Sequence, residues 1–285
     1  FFKQKTAYEI ASGDWSSDVC SSDLADTEVQ YTLALGDATQ DMNALIGQRV
    51  RLEFLQKIIC QHCGRSTKKS FSQGYCYPCF QSLASCDLCI MSPDRCHFHL
   101  GTCRDNTFAE QFCMQPHRVY LANSTGLKVG ITRAENLPSR WLDQGATQGL
   151  VIMTAATRRQ SGLLEAAFKA HVSDRTQWQR MLKGPGDVLD LPAERDRLLT
   201  LAADAIALIQ AEFKPGEMAL AETAETRHFT YPVTQYPEKV KSYNLDKTPV
   251  LEGNLLGIKA QYLILDHTVI NLRKYTGYEV ALNVL

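Results

Sequence analysis

No stretch of this 285-residue chain approaches the roughly 18 consecutive apolar residues of a membrane-spanning helix, so it reads as soluble, with no membrane partner. Its first residues have neither an apolar h-region of secretory length nor an amphipathic Arg-rich pattern, which argues against a targeting peptide. No internal repeat or low-complexity tract stands out. Net charge is close to nil at −1, so bulk charge selects no partner. Acidic residues are scarce in one region. Pro116 to Lys183 carries ten Lys/Arg against four Asp/Glu, giving +6, whereas Gly184 onward has ten against fourteen, giving −4. Four scattered acids are too few for a two-metal carboxylate cage. The local positive excess suits an anionic partner such as nucleic acid, and equally an ordinary solvated face.

What the chain does have is cysteine. Nine fall between Cys60 and Cys113. Cys60-Gln-His-Cys63 and Cys76-Tyr-Pro-Cys79 are paired C-x2-C knuckles, each presenting two thiolates from one tight turn, and together they complete a tetrahedral sulfur site for Zn2+. His62 is then a spectator. Cys86, Cys89, Cys96 and Cys103 make the simplest second tetrahedron, with Cys113, His97 and His99 as alternatives. One or two structural zinc ions are implied. The odd number of cysteines in this array, with Cys20 set aside, suits disulfides poorly, and zinc-type usage points to a reducing, cytoplasmic setting. A redox role is disfavoured because neither knuckle opens a helix in a thioredoxin-like βαβ unit. The segment 60–113 has few periodic apolar residues, so metal must replace a core there.

Around this array the patterning alternates between strand and helix. Val50, Leu52 and Phe54 alternate with Arg49, Arg51 and Glu53, which predicts a half-buried strand leading into the first knuckle. RVYLA, LKVGIT and GLVIMTAAT read as strands, SRWLDQG after Pro138 as a short helix, and SGLLEAAFKAHV as a helix with Ser161 as N-cap. The order is β-β-α-β-α. Asp190 caps a helix over 191–213 with Pro192 in its first turn, and Leu198, Leu201, Ala202, Ala205 and Ile209 form its inward stripe. Near the end, Leu256, Ile258, Ala260, Tyr262 and Ile264 share one face of a strand that could close a small barrel with GQRVRLEF. Trp141 and Trp178 read as core aromatics rather than base-stacking platforms. Lys68-Lys69 beside Phe71 and Tyr75 suits a phosphate grip or a plain solvated turn.

The string VYLANSTGLKVGITRAENLPSRWLDQGA resembles the start of the GIY-YIG nuclease domain, in the shortened variant whose second motif reads K-V-G, and LLEAAFKAHV resembles the helix that carries that family's metal-binding glutamate. The resemblance implies that Tyr120 occupies the GIY tyrosine position, Lys128-Val129-Gly130 the second motif, Arg140 the helix arginine and Glu165 the glutamate. Those residue types suit phosphodiester cleavage. A tyrosine lowered in pKa by a cation such as Lys128 accepts a proton, Arg140 clamps phosphate oxygens through its planar fork, and Glu165 holds one Mg2+. The chain also departs from the family. The first motif reads R-V-Y without its glycine, Lys128 replaces a tyrosine, Gln144 stands where a histidine follows the arginine, and SDRTQW replaces the asparagine beyond the glutamate helix. The resemblance therefore leaves two outcomes, a nuclease or a related fold kept for binding nucleic acid. A bland alternative has Arg140 and Glu165 joined as a structural ion pair.

Residues 1–24 resemble translated sequencing-adaptor read-through and are read as unstructured, with the native start expected to be missing. As a whole the chain resembles a bacterial family known as a domain of unknown function. The expected fold is α+β. Residues 25–59 form a β segment packing with the C-terminal barrel, and 60–115 a cysteine-rich, zinc-ribbon-like region. Residues 116–183 form a GIY-YIG-like domain, and 184–285 a helix plus a β-rich, small barrel-like remainder. The expected function is a zinc-stabilised nucleic-acid-binding protein, DNA or RNA, with a metal-dependent phosphodiesterase site as its catalytic form. The alternative is a non-catalytic zinc-binding adaptor for protein partners.

Overall fold

The computed structural model describes residues 8–9, 15–19, 27–35, 38–172, 177–222 and 225–285. It is a mixed α+β protein. The strands in chain order are β1 (Tyr8–Glu9), β2 (Trp15–Val19), β3 (Thr27–Leu35), β4 (Ala38–Asp41), β5 (Arg49–Ile59), β6 (Ser66–Thr67), β7 (His117–Asn123), β8 (Leu127–Arg133), β9 (Gln148–Ala155), β10 (Met218–Leu220), β11 (Arg227–Thr230), β12 (Val250–Lys259), β13 (Tyr262–Leu265), β14 (Val269–Asn271) and β15 (Tyr278–Val284). The helices are α1 (Tyr77–Ser82), α2 (Leu88–Met91), α3 (Asn106–Phe108), α4 (Ser139–Asp143), α5 (Arg158–Lys169), α6 (Trp178–Met181), α7 (Leu191–Leu201) and α8 (Ala203–Ala211). No helix among the described residues is long and apolar enough to cross a membrane.

Two sheets carry the architecture. The first runs β1-β15-β5-β12-β13-β14, an open half-barrel to whose β5 the short β6 is added. The alternation at Val50, Leu52 and Phe54 places these side chains inward and gives β5 its central position between β12 and β15. The second sheet runs β2-β3-β11-β9-β7-β8, with only the β3–β11 pair parallel. Residues 25–59 thus divide between the sheets, since β3 and β4 join the second while β5 joins the first. Within residues 1–24, β1 and β2 lie at open sheet edges, where unpaired backbone groups accept an extended segment. The rest of that stretch lies outside the described residues.

A shared core fills the space between the sheets. Leu33, Val50, Leu52, Leu251, Leu255 and Val280 meet Tyr120, Trp141 and Leu142 there. The opposite face of the second sheet, with Val119, Leu121, Val129 and Ile152, is covered by α5, α7 and α8. Between residues 117 and 169 the order is strand, strand, helix, strand, helix.

Three local expectations are corrected. Thr157, not Ser161, caps α5. Its side chain accepts from the Gln160 amide while Gln160 reaches back to the Thr157 N–H, and buried Ser161 donates to the Arg158 carbonyl instead. The helix after Asp190 is interrupted at Ala202, and Leu198, Ala202 and Ile206 turn inward at every fourth residue while Leu201 and Ala205 face out. Finally, a bulge between Leu255 and Gly257 sends Ile258 into the shared core, whereas Leu256, Ala260, Tyr262 and Ile264 pack on the other face.

Lys259 is fully buried at the end of β12. Its ammonium donates to the Gly184 carbonyl at 2.7 Å and stands 5.4 Å from the ring centres of Tyr231 and Tyr236. Burial pushes it from 10.5 down to about 8. The unfolded chain therefore binds the extra proton between those values, and folding stability from this group rises with pH across the window. From about pH 7.5 to about 9.5, the wild type is expected to gain about 2 kcal/mol relative to Lys259→Met. Denaturant titrations of both proteins at the two pH values check this, and a constant difference would refute it.

Candidate functional site

The two knuckles at Cys60 and Cys76 are built by backbone turns at the end of β5. Gly64 donates to the Cys60 carbonyl and sits at φ +67°, a conformation that favours glycine and closes the first knuckle. Gln61 donates to the Gly74 carbonyl at 2.8 Å and ties the knuckles together. Cys76 stands at the N-cap position of α1, Pro78 follows in the first turn, and Cys79 lies within the helix. Cys60, Cys76 and Cys79 are buried, and Cys63 is at the surface.

The four sulfurs lie within 4.8 Å of one another, and those of Cys63 and Cys76 are 3.8 Å apart. Zn–S bonds of about 2.3 Å in a tetrahedron require sulfur separations of about 3.8 Å. Burial acts to raise the Cys60 thiol, but the amides of Cys63, Cys76 and His62 aimed at its sulfur prevail and hold it at about 6. Burial and the sulfurs of Cys76, Cys63 and Cys60 push Cys79 up to about 12. Thiolates crowded in this way repel one another until a cation stands among them. The donor set therefore fits one divalent metal ion, and zinc is compatible with it. His62 is exposed and outside the cluster.

Lys69, predicted as a phosphate grip, lies 5.2 Å from the Phe71 ring centre, and Phe71 stacks on Phe80 at 5.8 Å.

Beyond α1 the chain winds through short turns. Cys89 lies in α2, Cys96 follows a 3-10 turn at Pro93–Arg95, Cys103 follows another at Phe98–Leu100, and Cys113 ends the π-helical turn Ala109–Cys113. Cys89, Cys96, Cys103 and Cys113 line one small cavity. Cys86 does not line it, and sits beside Ser85, Ser72 and Arg104. His97 lies on the cavity wall, its Nδ1 2.8 Å from the Thr102 hydroxyl, and His99 does not line it.

Tyr120 is buried on β7, between β9 and the edge strand β8, opposite Gly130 of β8. A Cβ on Gly130 would fall 2.6 Å from the Tyr120 hydroxyl, so the glycine of K-V-G is required by the tyrosine ring. Trp141 meets that ring edge-on with centres 5.9 Å apart. The Tyr120 hydroxyl, Gln144 Oε1 and Arg158 Nε are buried without a hydrogen-bond partner among the described residues. Burial raises the Tyr120 phenol above its ordinary value. The cation that opposes this is Arg140, not Lys128, and it does not prevail. The expectation of a lowered tyrosine is corrected accordingly, because removal from water outweighs one nearby guanidinium.

Arg140 is exposed on α4 and opens onto a groove of about 680 Å3 lined also by Tyr75, Arg133, Asp143, Gln261 and Arg273. Arg133 pairs with Glu135 at 2.7 Å, and Arg273 with Asp143 at 3.6 Å and with the Gln73 side chain at 2.6 Å. Arg140 alone of the three has no carboxylate partner among the described residues. Glu165 is mostly buried and lies 3.5 Å from Lys169, and among the described residues no ion pair joins it to Arg140. Its charge reaches both Tyr120 and Arg158. Lys128 opens onto a different cavity, with His171, Glu194 and Arg197. The structure thus gathers Tyr120, Arg140 and Glu165 in one neighbourhood and gives Lys128 another.

Sequence reading missed Arg133, Asp143 and Arg273 in the groove. No periodicity or motif links Arg273 to α4, because 130 residues separate it from Asp143 (273 minus 143). A capping signal for α5 was present in Thr157 and Gln160, three residues apart.

A family model described as a protein of unknown function (DUF2797) matches residues 47–280. No curated protein and no solved structure matches the chain.

Proposed function

We propose that this chain, which belongs to the DUF2797 family, is a zinc-stabilised nucleic-acid-binding protein whose phosphate-binding surface is the groove around Arg140. One observation carries the reading. An exposed guanidinium without a carboxylate partner stands next to a buried, unpartnered tyrosine hydroxyl, at a groove to which α4 and the chain near β15 both bring arginine. Arg140 would grip phosphate oxygens through its fork. The raised phenol of Tyr120 remains protonated at neutral pH, so it suits a hydrogen-bond donor rather than a base. In this reading the knuckles at Cys60 and Cys76 are a zinc-ribbon-like wall of the groove, and 116–183 is a GIY-YIG-like fold. Tyr75, near the second knuckle, lines the same groove.

A metal-dependent phosphodiesterase is the catalytic extension of the same site. Its support is the mostly buried carboxylate of Glu165, whose charge reaches Tyr120 and which would hold one Mg2+ with water completing the shell. Labelled single-stranded and duplex DNA and RNA, titrated at about 50 and about 200 mM salt with and without Mg2+, test both. Binding is expected to fall steeply with salt, and Arg140→Ala to weaken it about tenfold while lowering the salt slope by about one. Cleavage abolished by Glu165→Ala would establish the catalytic form. Absence of binding at the lower salt would overturn the proposal in favour of a protein adaptor.

A further inference from the structure

We propose that Asp87, Cys89 and His97 hold a divalent metal ion of the zinc type, at a second centre that shares no ligand with the knuckles. Among the described residues, only the four knuckle cysteines and this trio bring three or more ligating side chains together. Here too every ligand atom lies within 4.8 Å of the others. The donor set differs, with one oxygen, one sulfur and one nitrogen in place of four sulfurs. That mixture suits borderline-soft Zn2+ better than Mg2+ or Ca2+, which take oxygen ligands.

The trio is assembled within a few turns. Asp87 caps α2 and accepts from the Cys89 amide at 3.3 Å, so carboxylate and thiol share the start of one turn. The chain then winds through Pro93–Arg95 and brings His97 back. His97 Nε2 stands 3.6 Å from Asp87 Oδ1. A hydrogen bond between them would need about 2.7–3.2 Å. Two ligands on one tetrahedral ion with bonds of about 2.0 Å stand about 3.3 Å apart, which is closer to what is found. The imidazole is turned to match. The Thr102 hydroxyl donates to the His97 carbonyl at 3.3 Å, so its oxygen accepts from Nδ1–H at 2.8 Å and Nε2 keeps its lone pair. That lone pair and the carboxylate oxygen face one another favourably only with a cation between them.

The outer partners also fit. Metal-ligating histidines donate their other N–H to an acceptor, and ligating carboxylates are themselves hydrogen-bonded. Arg104 Nε donates to Asp87 Oδ2 at 2.7 Å and its Nη1 to the Leu83 carbonyl at 3.1 Å, which fixes the carboxylate and leaves Oδ1 to the ion. The Asp87 carboxylate and a Cys89 thiolate outnumber this one guanidinium, so the site still attracts a cation. Other sulfurs are engaged elsewhere. Cys103 Sγ donates to the Asp105 carbonyl at 3.4 Å, and Cys86 Sγ lies 4.0 Å from the Ser85 hydroxyl. Asp87, Cys89 and His97 are each half-buried, so water reaches the fourth position.

Zinc analysis of the purified full chain, after loading and dialysis, tests the assignment. Two ions per chain are expected in the wild type and in Cys86→Ser and Cys103→Ser, but one in His97→Ala and Asp87→Asn. One ion in the wild type overturns the proposal, as do two in His97→Ala or Asp87→Asn, or loss of one in Cys103→Ser. If a variant fails to fold, cobalt titration of the wild type decides. Of two equivalents bound, one is expected to bring a thiolate charge-transfer band far weaker than the other, as one thiolate compares with four. Bands of equal strength, or an end point at one equivalent, would reject the site.

Discussion

Serine in place of Cys76 is expected to abolish metal binding at the first centre and to unfold residues 60–83 while sparing the sheet beneath them. The buried core beneath this centre is Cys60, Cys76 and Cys79 themselves, with Tyr75 and Leu83 packed against them, so there is little apolar core to survive the loss. Structural zinc in modules of this size contributes on the order of 10–16 kcal/mol, as much as an entire small domain's net stability. The damage should stop at β5, because that strand is hydrogen-bonded on both sides by β12 and β15 and its Val50, Leu52 and Phe54 belong to the shared core. Hydrogen exchange by mass spectrometry distinguishes the regions. Protection should vanish over 60–83 and persist over 49–54 and 250–254. Retained protection at 60–83 in metal-free protein would mean that the knuckles stand without zinc.

Trp141→Ala should be the most damaging single substitution in the middle of the chain, at about 3–5 kcal/mol by denaturant titration. Its ring is buried, edge-on to Tyr120 and 5.9 Å from Phe229, and it lies so close to Gly149 that a Cβ there would fall 2.5 Å away. No neighbouring side chain can swing into a void bounded by a strand glycine and two other aromatics. Trp178→Ala is the comparison. That ring is half-buried and stacked on Tyr262 at 5.6 Å, so its removal should cost clearly less. Equal losses in the two variants would show that the shared core is not where this part of the chain is held. Because α4 carries both Trp141 and Arg140, the same substitution should also weaken any binding in the groove.

Much of this architecture was legible before any coordinates. The alternation in β5, the paired strands at 117–133 and the four-cysteine cluster all follow from periods and spacings of a few residues. The misreadings share a cause. Ile258 was assigned to the wrong face because one bulge shifts a period of two by one residue, and Leu201 and Ala205 because the buried stripe is narrow and runs through Leu198, Ala202 and Ile206 at every fourth residue. The neighbours of Tyr120 were read along the chain, which suggested Lys128 as the cation beside it, whereas burial by the facing half-barrel raises its phenol and the nearby cation is Arg140.

By itself the sequence determined whatever is settled within one turn or one strand: two C-x2-C knuckles, the alternation of β5 and the cap at Asp190. The tertiary structure alone decided which distant groups meet. It brought Arg273 to Asp143, separated Lys128 from Arg140, and placed Cys113 rather than Cys86 on the second cysteine cavity. The physical reason is range. A spacing of three residues limits two sulfurs to one turn, while groups tens of residues apart are brought together only by the burial of the surfaces between them.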